Sequence, residues 1–170
     1  KERIGLIGPG RMGLAMVKHL VKSGYSVTVT DIDKRRMEAA VKEGAAMAPN
    51  SAALGATADF VIVAVGYDDE TREVTTGKHG LIDAMAQDSI IAVCSTAAPA
   101  TVCAVAEVAE AKGIGVLDAP ICRGRWAADD GTLLALVGGR DEVVARSRPI
   151  FQTFCADIAH LGPVGHGQFG

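Results

Sequence analysis

The chain has 170 residues, of which 49% are hydrophobic, 22% charged and 4% aromatic, a composition that excludes a disordered chain. Its longest strongly apolar run, residues 60–65, is far shorter than the roughly 20 residues that a membrane span requires, so no membrane association is expected. The net charge of −3 comes without a long basic run, which argues against nucleic-acid binding.

Short apolar segments alternate with segments of helical periodicity along the chain. Strands are predicted at residues 3–7, 26–30, 60–65, 90–94, 115–118, 133–137 and 158–161. Helices are predicted at residues 12–22, 34–42, 51–56, 69–75, 100–112 and 141–155. The strand segments are apolar almost throughout, which is typical of sheets covered on both faces. The alternation predicts an α/β fold with a doubly wound, mostly parallel sheet.

The first predicted strand leads into a G-x-G-x-x-G motif made of Gly8, Pro9, Gly10, Arg11, Met12 and Gly13. Gly8 allows a tight turn, Gly10 leaves the backbone bare for a pyrophosphate, and Gly13 lets the helix pack closely on the strand. The N-terminus of the following helix adds unpaired amides and a partial positive charge. We therefore predict that residues 8–13 bind the pyrophosphate of a dinucleotide.

Asp31 ends the second predicted strand at roughly the spacing from Gly13 that a ribose-binding acid has in this motif. A 2′-phosphate at ~4 Å from its carboxylate would be repelled by about 4 kcal/mol at an effective dielectric constant near 20. Three basic residues follow and can offset part of this repulsion, although we interpret them as a solvated first helical turn: Lys34, Arg35 and Arg36. We therefore predict NAD as the cofactor, with NADP as the alternative.

Five motifs in chain order resemble the β-hydroxyacid dehydrogenases, the family of 3-hydroxyisobutyrate dehydrogenase, tartronate semialdehyde reductase and 6-phosphogluconate dehydrogenase. They are GLIGPGRMGLAM (5–16), EVTTGKHGL (73–81), STAAP (95–99), DAPICRG (118–124) and GTLLALVGG (131–139). The resemblance implies a Rossmann-like dinucleotide-binding domain over residues 1–163 and the start of a linker at residues 164–170. The family's C-terminal all-helical domain, through which the full-length protein would form a homo-oligomer, is absent.

The resemblance also implies an activity. Members transfer a hydride between a nicotinamide cofactor and a small 3-hydroxy acid, so a small acidic substrate is expected. A catalytic lysine is expected directly after Gly170, which leaves no catalytic residue in this chain and predicts that the chain alone is inactive. Two alternatives remain open: a non-catalytic NAD-binding module, and a related imine or keto-acid reductase.

Further site residues follow from the same resemblance. Val65 and Gly66 stand where the family has a Leu-Pro that lines the adenine-side ribose and the pyrophosphate of the cofactor. Thr96 is placed near the nicotinamide or its ribose, or else caps the helix ahead of Pro99. Substrate binding is assigned to Cys122, Arg123 and Gly124, which replace a Ser-Gly-Gly carboxylate clamp. Arg123 contacts a larger or more acidic substrate, points to solvent, or pairs with a protein acid.

The remaining polar residues predict no metal site. Four cysteines without C-x-x-C spacing, Cys94, Cys103, Cys122 and Cys155, are interpreted as packed or inert free thiols in a reducing, cytoplasmic setting. The histidines share no metal-ligand spacing and are expected at the surface or in loops. A solvated acidic helix start is expected at Asp68, Asp69 and Glu70.

Overall fold

The computed structural model of the protein describes residues 1–169, so Gly170, the last residue of the predicted linker, lies outside the described residues. The strands are β1 (Ile4–Ile7), β2 (Val27–Thr30), β3 (Ala46–Met47), β4 (Phe60–Val63), β5 (Ile90–Val93), β6 (Gly115–Asp118), β7 (Ile121–Cys122), β8 (Leu133–Gly138) and β9 (Cys155–Gly162). The helices are α1 (Arg11–Lys22), α2 (Lys34–Lys42), α3 (Ser51–Thr57), α4 (Asp68–Thr75), α5 (Pro99–Glu110), α6 (Gly124–Asp130) and α7 (Asp141–Phe151). A 3₁₀ helix, His166–Phe169, follows β9.

All the strands join one sheet in the order β3-β2-β1-β4-β5-β6-β8-β7, with β9 paired to β8. The pairs from β3 to β6 are parallel, whereas β8 runs antiparallel to β6 and β7. The strand order turns back between β1 and β4, which makes the carboxyl ends of these strands the edge where ligands bind in such sheets. The predicted doubly wound, mostly parallel sheet is confirmed.

Both faces of the sheet are covered, which explains the continuous apolar character of its strands. In β4, Phe60 and Ile62 face one buried cluster while Val61 and Val63 face the other. Helices α1 and α7 contribute to the first cluster, and α3 and α5 to the second. Each fully buried aliphatic or aromatic side chain contributes about 1.5–3 kcal/mol. Within residues 1–169, no helix combines the length and apolar character needed to cross a membrane.

The predicted helix over residues 141–155 is wrong at its end. Helix α7 stops at Phe151, and Cys155 is the first residue of β9, where it pairs with Leu133. Between them the chain makes a turn that buries Phe154 against Phe151, with ring centroids 5.4 Å apart. Apolar residues in this turn continue the helical spacing although the backbone leaves the helix, so the periodicity extends the helix too far.

Four short elements were not predicted: β3, β7, α6 and the 3₁₀ helix. Strands β3 and β7 have two residues each, too few to show an alternating pattern. Residues 122–124 are the end of β7, the residue between the two elements and the start of α6. Arg123 and Gly124 both have positive φ, of 89° and 74°.

The cysteines differ in burial and therefore in their expected reactivity toward alkylating agents. Cys94 and Cys155 are buried and Cys103 is exposed. Burial raises the pKa of Cys94 well above its usual range and that of Cys155 to about 12, so both remain protonated at neutral and mildly alkaline pH. Only the thiolate is strongly nucleophilic.

We expect iodoacetamide at pH 8 to alkylate Cys103 and to spare Cys94 and Cys155 until urea unfolds the chain. Peptide mass spectrometry at a series of times measures each site separately, and Cys103 within the same sample is the control. Alkylation of Cys155 in the folded protein as fast as that of Cys103 would contradict the described burial.

Candidate coenzyme-binding site

The turn between β1 and α1 is closed so tightly that two of its glycines are required by the fold. Gly8 has φ of +89°, and a Cβ added there would lie 2.6 Å from the carbonyl oxygen of Ala64. A Cβ added to Gly13 would lie 2.5 Å from the carbonyl oxygen of Gly8. Distances this short leave no space for a methyl group, so these glycines allow α1 to begin directly over the end of β1.

Gly10 differs because the fold does not require it. The nearest atoms to an added Cβ belong to the Arg36 guanidinium, at 3.8 Å, which is an ordinary contact with a flexible side chain. Gly10 caps α1 without a side-chain hydrogen bond, and the first turn of α1 contains no acidic residue. The first amides of a helix have no partner within the helix and carry partial positive charge. Bare backbone and free amides at this position fit a pyrophosphate.

Asp31 follows β2 directly and is held at the same edge of the sheet. One carboxylate oxygen accepts from the Asp33 amide at 2.8 Å, and the other lies 3.8 Å from Arg36 Nη1. The Asp31 side chain is only 6% exposed. Arg36 is 57% exposed, as interpreted for a solvated turn, but its guanidinium also lies near both Asp31 and Gly10. Arg36 also lines a groove of about 350 Å³ beside Gly10.

Three further predicted residues follow strands on the other side of β1. Val65 and Gly66 come after β4, and an added Cβ on Gly8 would be 3.3 Å from the Val65 amide nitrogen. Thr96 comes after β5 and is exposed between buried neighbours. It does not cap α5, because the N-cap residue is Ala98. The structure thus brings residues 8–13, Asp31, residues 65–66 and Thr96 to one edge of the sheet.

Asp68 corrects the expectation of a solvated acidic helix start. Its carboxylate accepts from the Ala98 amide at 3.2 Å and from Thr101 Oγ1 at 2.8 Å, which ties α4 to the start of α5. Asp69, by contrast, has a side chain that is 98% exposed, as expected for a solvated acid. Asp69 pairs with Arg72 of the same helix at 3.0 Å, whereas Asp68 joins α4 to another element.

The segment of Cys122, Arg123 and Gly124 lies at the end of the sheet far from β2. Cys122 is half-buried, and the space around an added Cβ on Gly124 is open. Arg123 Nη1 is 2.6 Å from Asp157 Oδ2 and donates to the Thr132 carbonyl oxygen at 3.2 Å. Of the three arrangements considered for Arg123, the structure shows pairing with a protein acid.

Two residues with clear contacts at this edge were not singled out from the sequence. Asp118, at the end of β6, is fully buried, and its carboxylate accepts from the amides of Gly165 at 2.7 Å and Gln168 at 3.0 Å. Burial raises the pKa of Asp118. The side chain of Gln168 in turn contacts the segment around Thr96. An acid ending an apolar strand was the available signal for Asp118, whereas nothing local indicated Gln168.

Comparison with known proteins identifies the family. Residues 3–162 match the family described as the NAD binding domain of 6-phosphogluconate dehydrogenase. The chain belongs to this family of NAD-binding domains. Within residues 1–169, no three His, Cys, Asp or Glu side chains gather in a way that could hold a metal ion.

Named relatives share both sequence and fold with the chain. The 3-hydroxyisobutyrate dehydrogenase of Pseudomonas aeruginosa is 36% identical over 165 residues, covering 97% of this chain and 55% of that protein. The structure of 3-hydroxyisobutyrate dehydrogenase from Mycobacterium tuberculosis with L-serine has a TM-score of 0.94 at 28% identity, covering 99% of this chain and 57% of that one. An imine reductase variant from Myxococcus stipitatus, in complex with NAD+, has a TM-score of 0.91 at 24% identity. The match covers 99% of this chain and 58% of that one. The last similarity shows the fold alone. The chain spans little more than half the length of these relatives.

The different surroundings of Gly10 and Gly13 predict different effects of adding one methyl group. Gly13→Ala is expected to lower the free energy of unfolding by about 1–3 kcal/mol, because the methyl group meets the Gly8 carbonyl. Gly10→Ala is expected to change it by less than about 1 kcal/mol, the scale of helix N-cap effects. Gly10→Ala should nevertheless weaken NADH binding at least tenfold, because the methyl group occupies the approach of the pyrophosphate.

Urea unfolding and NADH fluorescence titration, run on both variants and the unmodified chain, measure the two effects separately. Unchanged NADH affinity in Gly10→Ala would show that the pyrophosphate does not lie over this residue.

Proposed function

We propose that the chain is the coenzyme-binding domain of an NAD-dependent dehydrogenase that acts on small 3-hydroxy acids. One observation carries the proposal: the backbone is bare at Gly10, where the fold has room for a side chain, beside an α1 N-terminus without acids. The anchored carboxylate of Asp31 at the end of the neighbouring strand supports it. When bound, the nicotinamide group supplies or accepts the hydride, and the protein positions it.

The dinucleotide is proposed to lie across the carboxyl edge of the sheet. The α1 amides and residues 8–13 bind the pyrophosphate, and Asp31 accepts the ribose hydroxyls of the adenosine on the β2 side. Val65 and Gly66, which follow β4 beside Gly8, line the adenine-side ribose and the pyrophosphate. The nicotinamide half then extends over the end of β5, where Thr96 contacts it. The strand order supports this path, because β2 and β4 flank β1 on opposite sides.

We assign the substrate side to Cys122, Arg123 and Gly124. The guanidinium of Arg123 has the forked donor geometry that binds a carboxylate through two hydrogen bonds. Because Arg123 is paired with Asp157, binding a substrate acid there exchanges one carboxylate for another. Cys122 is given no nucleophilic role.

We assign the role of general acid to a lysine directly after Gly170. This lysine donates a proton to the substrate carbonyl as the hydride arrives. Residues 1–163 are then the coenzyme domain and residues 164–170 the start of a linker to a helical domain, through which the protein forms a homo-oligomer. The four free cysteines suit a reducing compartment, and we place the protein in the cytoplasm.

The Asp31 carboxylate predicts the coenzyme preference. We expect the chain to bind NADH at least tenfold more tightly than NADPH, because the carboxylate repels a 2′-phosphate. Asp31→Ser should weaken NADH about tenfold by removing the ribose contact, and should leave NADPH affinity unchanged or improved. Fluorescence titration with each coenzyme gives the four dissociation constants.

The matched control is Asp141→Ser, which changes a fully exposed acid on α7 by the same substitution. It should leave both affinities unchanged. An Asp31→Ser variant with unaltered NADH affinity would remove Asp31 from the site, and an unmodified chain that shows no saturable NADH binding up to millimolar concentration would overturn coenzyme binding.

The reaction itself requires the whole protein. We expect the protein that extends beyond Gly170 to reduce NAD+ with small 3-hydroxy acids, and the 170-residue chain to bind NADH without turnover. Replacing the lysine proposed after Gly170 with alanine should lower kcat at least a hundredfold, the usual scale for losing a general acid–base. Coenzyme reduction is followed at 340 nm.

Three results would point elsewhere. Turnover of cyclic imines but not hydroxy acids indicates the reductase alternative. NADH binding without turnover of either class indicates a non-catalytic module. Full activity in the alanine variant assigns the proton to another group.

A further inference from the structure

The segment of residues 95–98, which we call the Thr96 turn, is held by side chains from distant parts of the chain. The Ala97 amide donates to Gln168 Oε1 at 3.1 Å, and Gln168 Nε2 donates to the Ser95 carbonyl oxygen at 3.1 Å. On the other side, the Ala98 amide donates to the Asp68 carboxylate at 3.2 Å. Main-chain groups on both sides of Thr96 are therefore fixed, while the Thr96 side chain is exposed.

Gln168 can hold the turn because its own backbone is fixed. The buried Asp118 carboxylate accepts from the Gln168 amide at 3.0 Å and from the Gly165 amide at 2.7 Å. The 3₁₀ helix lies so close to β8 that a Cβ on Gly138 would be 2.8 Å from the Gly167 nitrogen. Hydrogen bonds thus run from Asp118, at the end of β6, to Gln168, after β9, and from Gln168 to the Thr96 turn, after β5.

We infer that Gln168 is a positioning residue that holds the Thr96 turn in the shape needed to receive the nicotinamide half of the coenzyme. The inference rests on the proposed function, in which the coenzyme crosses from Asp31 over β1 to the ends of β4 and β5. Gln168 is half-buried, and its amide gives one donor and one acceptor to main-chain groups flanking the exposed side chain. Losing both bonds frees a turn at one end of the site and leaves residues 8–13 and Asp31 unchanged.

The test compares two ligands that differ only in the part Gln168 affects. NADH contains the nicotinamide, whereas ADP-ribose retains the adenosine, the pyrophosphate and the second ribose without it. Gln168→Leu removes both hydrogen bonds at similar side-chain size. We expect NADH to bind about tenfold more weakly to this variant and ADP-ribose to bind within about twofold of the unmodified chain. Calorimetric titration measures both affinities.

Gln152→Leu is the matched control, because Gln152 is an exposed glutamine just after α7, whose last residue, Phe151, packs against Phe60 at the start of β4. It should leave both affinities unchanged. The ratio of the NADH and ADP-ribose affinities also distinguishes a loss of positioning from a folding defect, because a partly unfolded sample lowers both affinities by the same factor.

The outcomes separate the inference from the proposed function. A selective loss of NADH affinity in Gln168→Leu supports the positioning role. Equal losses for both ligands, or no loss for either, overturn it while coenzyme binding by the unmodified chain still stands. If the unmodified chain binds neither ligand, the proposed function and the inference fail together.

Discussion

Helix α1 approaches strand β1 so closely that the carbonyl oxygen of Gly8 lies 2.5 Å from where a side chain on Gly13 would begin. This approach aims the N-terminus of α1 across the carboxyl edge of the sheet, with its first amides open. Gly8 is equally close to the end of β4, through the Ala64 carbonyl oxygen at 2.6 Å from an added Cβ. The turn after β1 and the residues after β4 are therefore held against each other at this edge.

At the carboxyl edge of the sheet, side chains fix the loops after β5 and β9 by hydrogen bonds. The turn between β1 and α1 instead exposes its backbone at Gly10, which caps α1 without a side-chain hydrogen bond. Among residues 1–169, every buried side-chain nitrogen and oxygen has a hydrogen-bond partner. Asp68, Asp118 and Gln168 supply such bonds to the loops after β5 and β9. The first amides of α1 lie at the same edge and, as at any helix N-terminus, have no partner within the helix. What distinguishes this helix start is Gly10, where the backbone is bare although the fold has room for a side chain.

The parts of the fold that sequence could predict are those with local causes. Strands buried on both faces are continuously apolar, and the positions of Gly8, Gly13 and Asp31 follow from a strand, a turn and a helix in succession. Strands β3 and β7 were missed because two residues show no period, and α7 was extended because the Phe154 turn keeps helical spacing. Gln168 contacts residues about 70 positions earlier in the chain, and only the topology of the sheet brings them together.

At both ends of the proposed site, the charged residue assigned to the ligand is already paired with another residue of the chain: Arg123 with Asp157, and Asp31 with Arg36. Arg123 and Asp157 have side chains that are 42% and 60% exposed, so their pair is worth about 0–1 kcal/mol and exchanges readily for another carboxylate. Asp31 is only 6% exposed beneath an Arg36 side chain that is 57% exposed. If the adenosine ribose binds at Asp31 as proposed, it displaces Arg36, whose guanidinium also lies beside Gly10. In the proposed arrangement, discrimination between NADH and NADPH depends on the Asp31 carboxylate, which the Asp33 amide fixes, and on where Arg36 moves.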